Sequence, residues 1–206
     1  MSNSVGAGSS GAAVAARLAE SEKNYTVLLL EAGGDDNWFA IHVPGLHSYL
    51  QRYWLDWQFK TVPQQHTENR VHNWPRGKVL GGCSSINALL FVRGHQRDYD
   101  RWAEKFGCTG WSWNDVLPYF KRLEDNPMVA IEPELHSLNG PVPNKPLAPV
   151  PATQAFIESA QKAGFKVGTN MNGKNQEGVF VSHTFINKQG YRHNTAQAYI
   201  KPTLAK

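Results

Sequence analysis

Gly6-Ala7-Gly8-Ser9-Ser10-Gly11 heads an alanine-rich segment over residues 11–22, which is followed by the apolar run Thr26-Val27-Leu28-Leu29-Leu30 and then by Glu31. That order spells a dinucleotide-binding βαβ unit. Glycines let the backbone approach a pyrophosphate at a helix N-terminus, and an acid about 20 positions later binds a ribose hydroxyl. Residues 11–22 read as the helix, with Val14 and Leu18 one turn apart and alanines small enough to pack closely on a sheet. Residues 26–30 read as a parallel strand covered on both faces. The strand that should precede the glycines is nearly missing: Met1-Ser2-Asn3-Ser4-Val5 is mostly polar, and the first strand reads as truncated.

The composition around this unit is that of a folded protein. The chain has 206 residues, 41% hydrophobic and 18% charged, enough for one large domain or two small ones. The formal charge of +4 is scattered, with no basic run longer than two residues, so a solvated surface is read and no nucleic-acid partner. No apolar run approaches the roughly 18 residues of a membrane span. No signal peptide is visible, but the N-terminus looks trimmed, so no localisation is read from it. Cys83 and Cys108 have neither metal-ligand spacing nor a disulfide framework, and the histidines form no HxH or HxxxH pair; no metal site is expected.

After Gly33-Gly34-Asp35-Asp36 the helix–strand alternation of a nicotinamide domain stops. Residues 37–75 are instead rich in tryptophan and proline, and the tryptophans read as packing anchors. Then comes a second glycine and hydroxyl cluster, Trp74-Pro75-Arg76-Gly77-Lys78-Val79-Leu80-Gly81-Gly82-Cys83-Ser84-Ser85-Ile86-Asn87, which opens into the apolar run 88–92. Such a loop offers backbone N–H groups and small polar donors to an anion or a planar cofactor. Arg76 and Lys78 read equally well as surface residues and as phosphate contacts, Cys83 as a small core residue, Asn87 as a turn closer. Helices are expected over 98–106, with Tyr99, Trp102, Ala103 and Phe106 on one face, from Asn114 with Val116, Phe120 and Leu123 inward, and over 153–163 with Phe156, Ile157 and Ala160 inward. Residues 126–151, rich in proline and asparagine, read as a connection or boundary. A strand over 179–186, a turn at 187–190 and a short helix capped by Asn194 and ending at Pro202 complete the chain.

The ordered set of motifs resembles one family closely. The fingerprint, Leu28-Leu29-Leu30-Glu31-Ala32-Gly33, Asp56-Trp57, the 74–82 and 84–88 stretches, Val92-Arg93-Gly94, Asp98-Tyr99-Asp100, Gly110-Trp111-Ser112, Val116-Leu117-Pro118-Tyr119-Phe120, Asn172-Gly173 and Arg192 look like the N-terminal part of a glucose-methanol-choline (GMC) oxidoreductase. The chain is similar in tone to animal members called glucose or choline dehydrogenases. The resemblance implies an α/β fold: a Rossmann-like FAD-binding domain with a truncated first strand, over residues 1–125, and the start of an α+β substrate domain over 126–206. It implies an FAD-dependent oxidation of a small-molecule alcohol at a CH–OH group. The cofactor-binding set it suggests is Gly6, Gly8, Ser9, Ser10, Gly11, Glu31, Ala32, Arg76, Val79, Gly81, Gly82, Cys83, Ser84, Asn87 and Ala88. Ser9 and Ser10 would lie beside the pyrophosphate and Glu31 on the adenosine ribose; Cys83, Asn87 and Ala88 match the loop around the flavin. Some relatives carry a histidine at the position of Ile86 that bonds the flavin, so isoleucine implies noncovalent FAD. The family's catalytic histidine lies farther along than Lys206, so no catalytic residue is assigned and this span alone is expected to show no turnover. Two rivals stay open here: a hydroxynitrile lyase-like relative on the same FAD scaffold, and a truncated, non-catalytic paralogue.

Overall fold

The glycine fingerprint sits where two parallel strands and a helix meet. The computed structural model describes residues 2–23 and 25–205. In it strand β1 (Ser2–Val5) runs parallel to β2 (Val27–Leu30), with Ser2 opposite Val27 and Val5 opposite Leu30, and helix α1 (Ser9–Ala19) joins them. The leading strand, read from sequence as nearly missing, is therefore formed; Met1 lies outside the described residues. Polar side chains do not prevent it, because the pairing is made by backbone: Ser2 N–H donates to Thr26 O at 2.9 Å and Gly6 N–H to Leu30 O at 2.7 Å.

Two further expectations about this unit are corrected. Val5, Leu28 and Leu30 are 83%, 45% and 48% exposed, so β2 is covered on one face only. An apolar run permits burial on both sides, but burial needs a second layer, which the described residues do not place over that face. Helix α1 is shorter than residues 11–22 and packs through Ala12, Ala15 and Ala16, while Val14 stays exposed. Small side chains let the helix backbone come close to its neighbours, where a branched residue would hold it away.

The described residues divide into two units, Met1–Leu89 with Ile186–Lys206, and Leu90–Phe185. The 125/126 division that the resemblance implies falls within the second of these units. In the first unit, α2 (Phe39–His42), a 3₁₀ turn (Pro44–Tyr49) and the antiparallel pair β3 (Phe59–Lys60) and β4 (Asn73–Trp74) order the tryptophan-rich stretch. Its core is aliphatic: Ala40, Ile41, Leu50, Leu55, Val79 and Ile86, with Leu46 against them. Trp38, Trp54, Trp57 and Trp74, read as packing anchors, all stay at least a third exposed.

The second unit holds α3 (Gln96–Phe106) and α4 (Trp113–Leu123), each opened by a capping box, His95 with Asp98 and Ser112 with Asp115. The 126–151 connection is more ordered than its composition suggests: β5 (Glu124–Asp125) runs parallel to β6 (Val142–Pro143), and β7 (Lys145–Pro146) follows before α5 (Pro151–Lys162). The strand expected over 179–186 shrinks to β8 (His183–Thr184), antiparallel to β7. Phe156, expected inward, is exposed, as are Trp102 and Phe106 on the expected face of α3. This unit is organised around charge and amide groups more than around hydrocarbon. The buried Glu124 carboxylate takes a hydrogen bond from the buried Arg93 guanidinium, lies 2.9 Å from His136 Nδ1, and accepts from Asn126 Nδ2 at 3.1 Å and Asn144 Nδ2 at 3.0 Å. Asn144 Oδ1 in turn lies 3.1 Å from His183 Nδ1.

The chain then returns to the first unit. Asn194 caps the last helical segment, its Oδ1 accepting from Gln197 N–H at 2.9 Å. A π-helical turn (Ala196–Ile200) packs against α1 and leads into α6 (Lys201–Leu204). Pro202, expected to stop the helix, is accommodated in the first turn of α6, where its missing N–H costs least. Among the described residues no helix is long and apolar enough to cross a membrane.

The buried cluster makes the second unit acid-sensitive. Burial opposes ionisation of Glu124, but His136, Arg93 and the two asparagines outweigh it and hold its carboxyl below the ordinary 4.5. Burial, with neighbouring His136, pushes His183 below its ordinary 6.5. Both folded values lie below the unfolded ones, so the contribution of these groups is complete above about pH 6.5 and is lost as pH falls through the folded values. The urea midpoint is expected to fall from pH 7 to pH 4; a midpoint that holds or rises contradicts this. Glu124→Gln leaves the Arg93 charge buried without its partner and is expected to cost about 3–5 kcal/mol at pH 7.

Candidate cofactor site

The two glycine loops recognised in the sequence meet in the first unit. Gly81 N–H donates to Ala7 O at 2.8 Å, and Leu80 N–H donates to Gly34 O at 2.9 Å, so the second loop is sewn to the fingerprint and to the end of β2 by backbone. The approach is too close for side chains. A Cβ on Gly11 would stand 1.9 Å from Gly6 O, and one on Gly82, whose φ is +53°, would stand 2.6 Å from Gly8 Cα. Glycine at 11 lets the start of α1 lie against the turn that leaves β1; glycine at 82 lets one loop touch the other.

A cavity of about 560 Å³ opens over this junction. Of the residues assigned to cofactor binding from sequence, Gly6, Gly8, Glu31, Ala32 and Gly82 line it. Val5, Leu30, Trp57 and Gly77 line it too and were not in that set; Asp56-Trp57 and the 74–82 stretch carried the signal, but as parts of a pattern rather than as contacts. Trp57 stacks on Phe59 with ring centroids 6.0 Å apart, and Lys78 Nζ lies 4.8 Å from the Trp57 ring centroid, which keeps a positive charge beside the cavity wall.

The cap position of α1, Gly8, lines this cavity, whereas Ser9, Ser10 and Gly11 are not among its lining residues. Gly8 occupies the cap position, no side chain caps the helix, and the first turn contains no acid. Helices α3 and α4 carry capping boxes, while α2, α5 and α6, like α1, have no side-chain cap. An uncapped N-terminus carries orphan N–H groups and the positive end of the helix dipole, and both are met by an anion. Ser9 and Ser10 stand exposed in that first turn. A diphosphate flanked by larger groups fits these features: free donors at the helix start, a glycine floor that a Cβ would fill, and an apolar and aromatic wall.

Glu31 is held at the cavity edge by two backbone donors, Ala7 N–H to Oε2 at 2.7 Å and Gly33 N–H to Oε1 at 2.8 Å. Its carboxylate therefore fixes the shape of the fingerprint turn while retaining lone pairs for a hydroxyl donor. The remaining assigned residues serve the frame around the cavity. Val79 is wholly buried in the aliphatic core. The Ser84 hydroxyl turns inward, donating to Gly81 O at 2.6 Å and accepting from Thr195 N–H at 3.0 Å. Cys83 Sγ faces Gly77 N–H at 3.5 Å, Arg76 lies over the Trp74 ring, Asn87 Oδ1 accepts from Leu89 N–H, and Ala88 is exposed.

Two buried carboxylates outside the assigned cofactor set hold this frame. Asp56 accepts backbone N–H groups from Arg52, Gln58 and Arg76 at 2.9–3.0 Å; burial opposes its ionisation, but the three donors outweigh it and its pKa is lowered. Asp36 receives Asn194 Nδ2 at 2.9 Å and pairs with Lys201. Asp56 stood in the sequence only as part of the Asp56-Trp57 pattern, and Asp36 has no local signature, because Asn194 and Lys201 lie far along the chain. Gly11→Ala is expected to cost about 2 kcal/mol or more by forcing α1 away from Gly6, read as a lowered urea midpoint. A midpoint within about 0.5 kcal/mol of the parent would show that the approach is not constrained.

Comparison with known proteins agrees with this geometry. Residues 4–206 match the family described as GMC oxidoreductase. Over 210 residues the chain is 40% identical to the oxygen-dependent choline dehydrogenase of Sinorhizobium fredii, covering 98% of this chain and 36% of that protein. Among solved structures, pyridoxine 4-oxidase from Mesorbium loti superposes with a TM-score of 0.91 at 33% identity, over 98% of this chain and 39% of that one. An FAD-dependent oxidoreductase from Chaetomium thermophilum gives 0.85 at 29% identity, over 99% of this chain and 37% of that one. The chain thus spans little more than a third of the length of the proteins it matches, and across nearly all of its own length it belongs to the GMC oxidoreductase family.

Proposed function

We propose that this chain is the cofactor-cradling part of an FAD-dependent oxidoreductase that oxidises a small alcohol at a CH–OH group, a choline-like alcohol being the favoured substrate. The observation that carries this reading is a glycine-floored cavity of about 560 Å³ lined by Gly8, the cap position of α1, where no side chain caps the helix. The similarity to a choline dehydrogenase supports the substrate class.

In this reading the first-turn N–H groups of α1, with Ser9 and Ser10, hold the diphosphate, and Glu31 accepts from a ribose hydroxyl. Gly81, Gly82 and Cys83 keep the second loop close enough to exclude water from one side of the cofactor. The cofactor contacts that this chain supplies fall within residues 1–125, and the later residues begin the substrate-facing part. FAD, when bound, supplies the acceptor for the hydride that leaves the alcohol carbon. It is held noncovalently, since Ile86 is a buried hydrocarbon with no atom to bond a flavin.

FAD added to the purified protein is expected to co-elute with it on size exclusion and to be released into the supernatant on acid precipitation. Flavin that elutes free overturns the cofactor assignment, and colour that stays with the precipitate overturns noncovalent binding. In the whole protein, anaerobic choline is expected to bleach the flavin absorbance; an oxidised spectrum that persists with choline and other small alcohols counts against the CH–OH reading.

A further inference from the structure

Arg192 heads the fully buried side chains of this protein, and its position is electrostatically unusual. Its Nε donates to Ile41 O at 2.8 Å, and its Nη1 donates to Ser84 O and to Asn87 Oδ1, both at 3.0 Å. Its backbone N–H donates to His42 O at 2.9 Å. Every acceptor is neutral, and Nη2 is buried with no partner among the described residues. Burial alone lowers the guanidinium pKa to about 10, which leaves it charged at neutral pH. A buried cation is ordinarily matched by a carboxylate, because desolvating an unmatched charge costs several kcal/mol. Here the charge is retained without one.

The acceptors come from two places, the end of α2 and the loop that follows the second pair of glycines. Asn87 Oδ1, which Arg192 holds, also accepts Leu89 N–H at 3.1 Å, and Leu89 has a left-handed φ of +63°. One guanidinium thereby fixes the carbonyl of Ser84, the side chain of Asn87 and, through it, a backbone turn that a leucine would not adopt unaided. The charge has a further consequence. A flavin that accepts a hydride carries one negative charge, and a buried cation hydrogen-bonded to Asn87, in the loop that the FAD reading sets around the flavin, would be weakly screened from it.

We propose that Arg192 is a positioning residue that shapes the 84–89 loop for the cofactor, and that its unmatched charge favours the anionic, reduced form of that cofactor. The second half rests on the FAD assignment made above; the first does not.

Hydrogen–deuterium exchange of the protein without FAD tests the positioning role. In Arg192→Lys and Arg192→Gln the amides of residues 84–89 are expected to exchange about tenfold faster, with those of β1 and β2 unchanged. Asn87→Ala, at a half-buried site, loosens Leu89 in the same way and stands in if the Arg192 variants do not fold. Parental exchange at 84–89 in the variants that fold overturns the positioning role. With FAD bound, the flavin midpoint potential is expected to move negative in Arg192→Gln and to stay near the parent in Arg192→Lys. A potential unchanged in Arg192→Gln, or moved equally in both, overturns the electrostatic role, since loss of packing alone affects both variants. Failure of the parent protein to take up FAD overturns the FAD assignment and the electrostatic role together, while exchange still decides the positioning role.

Discussion

The structure of the first unit depends on backbone meeting backbone without side chains between. Gly8 and Gly82 face each other across a gap that a Cβ would close, and the start of α1 lies against Gly6 for the same reason at Gly11. Once those approaches are made, the hydrogen bond from Gly81 to Ala7 becomes available, the second loop is tied to the fingerprint, and a cavity forms above the junction. The helix N-terminus is left without a cap at that place. A side-chain cap would stabilise α1 by about 1 kcal/mol.

Around this junction, polar groups add to the aliphatic core and fix the loops that surround it. Glu31 clamps the fingerprint, Asp56 gathers three backbone donors, Asp36 gathers Asn194, Gln197 and Lys201, and Arg192 spans the 41–42 and 84–87 segments. The second unit follows the same logic around Glu124, with Arg93, His136, Asn126 and Asn144 directed at one carboxylate. Directional networks of this kind fix loop geometry more sharply than apolar contact does, because each partner has one place and one orientation. Much of this chain is irregular backbone, and its shape is set by these contacts rather than by secondary structure.

Sequence made the βαβ unit, the second glycine loop and the family legible, because each rests on residues close together in the chain and on backbone conformations that glycine reports directly. It misjudged what depends on neighbours. Ser2-Asn3-Ser4 looked too polar for a strand, yet the strand exists because its ladder is backbone. Leu28 and Leu30 looked doubly buried, yet both are exposed, and the described residues lay nothing over that face of the sheet. Phe156 had helical spacing with Ile157 and Ala160 but faces outward, since periodicity gives the stripe and not its exact width.

By itself, the sequence determined the glycines, the acid at 31 and the spacing between them, and with these the ability of backbone to approach a phosphate. Those are local properties of a few residues and survive any packing. Tertiary structure alone decided which of the assigned residues reach the cavity. Val79 and Ser84 turn inward into the frame, Trp57 and Gly77 come to the wall, and Arg192 arrives from more than a hundred residues away to hold the loop. The physical reason is that a side chain's direction is set by the partners that desolvate it, and here those partners are remote in sequence.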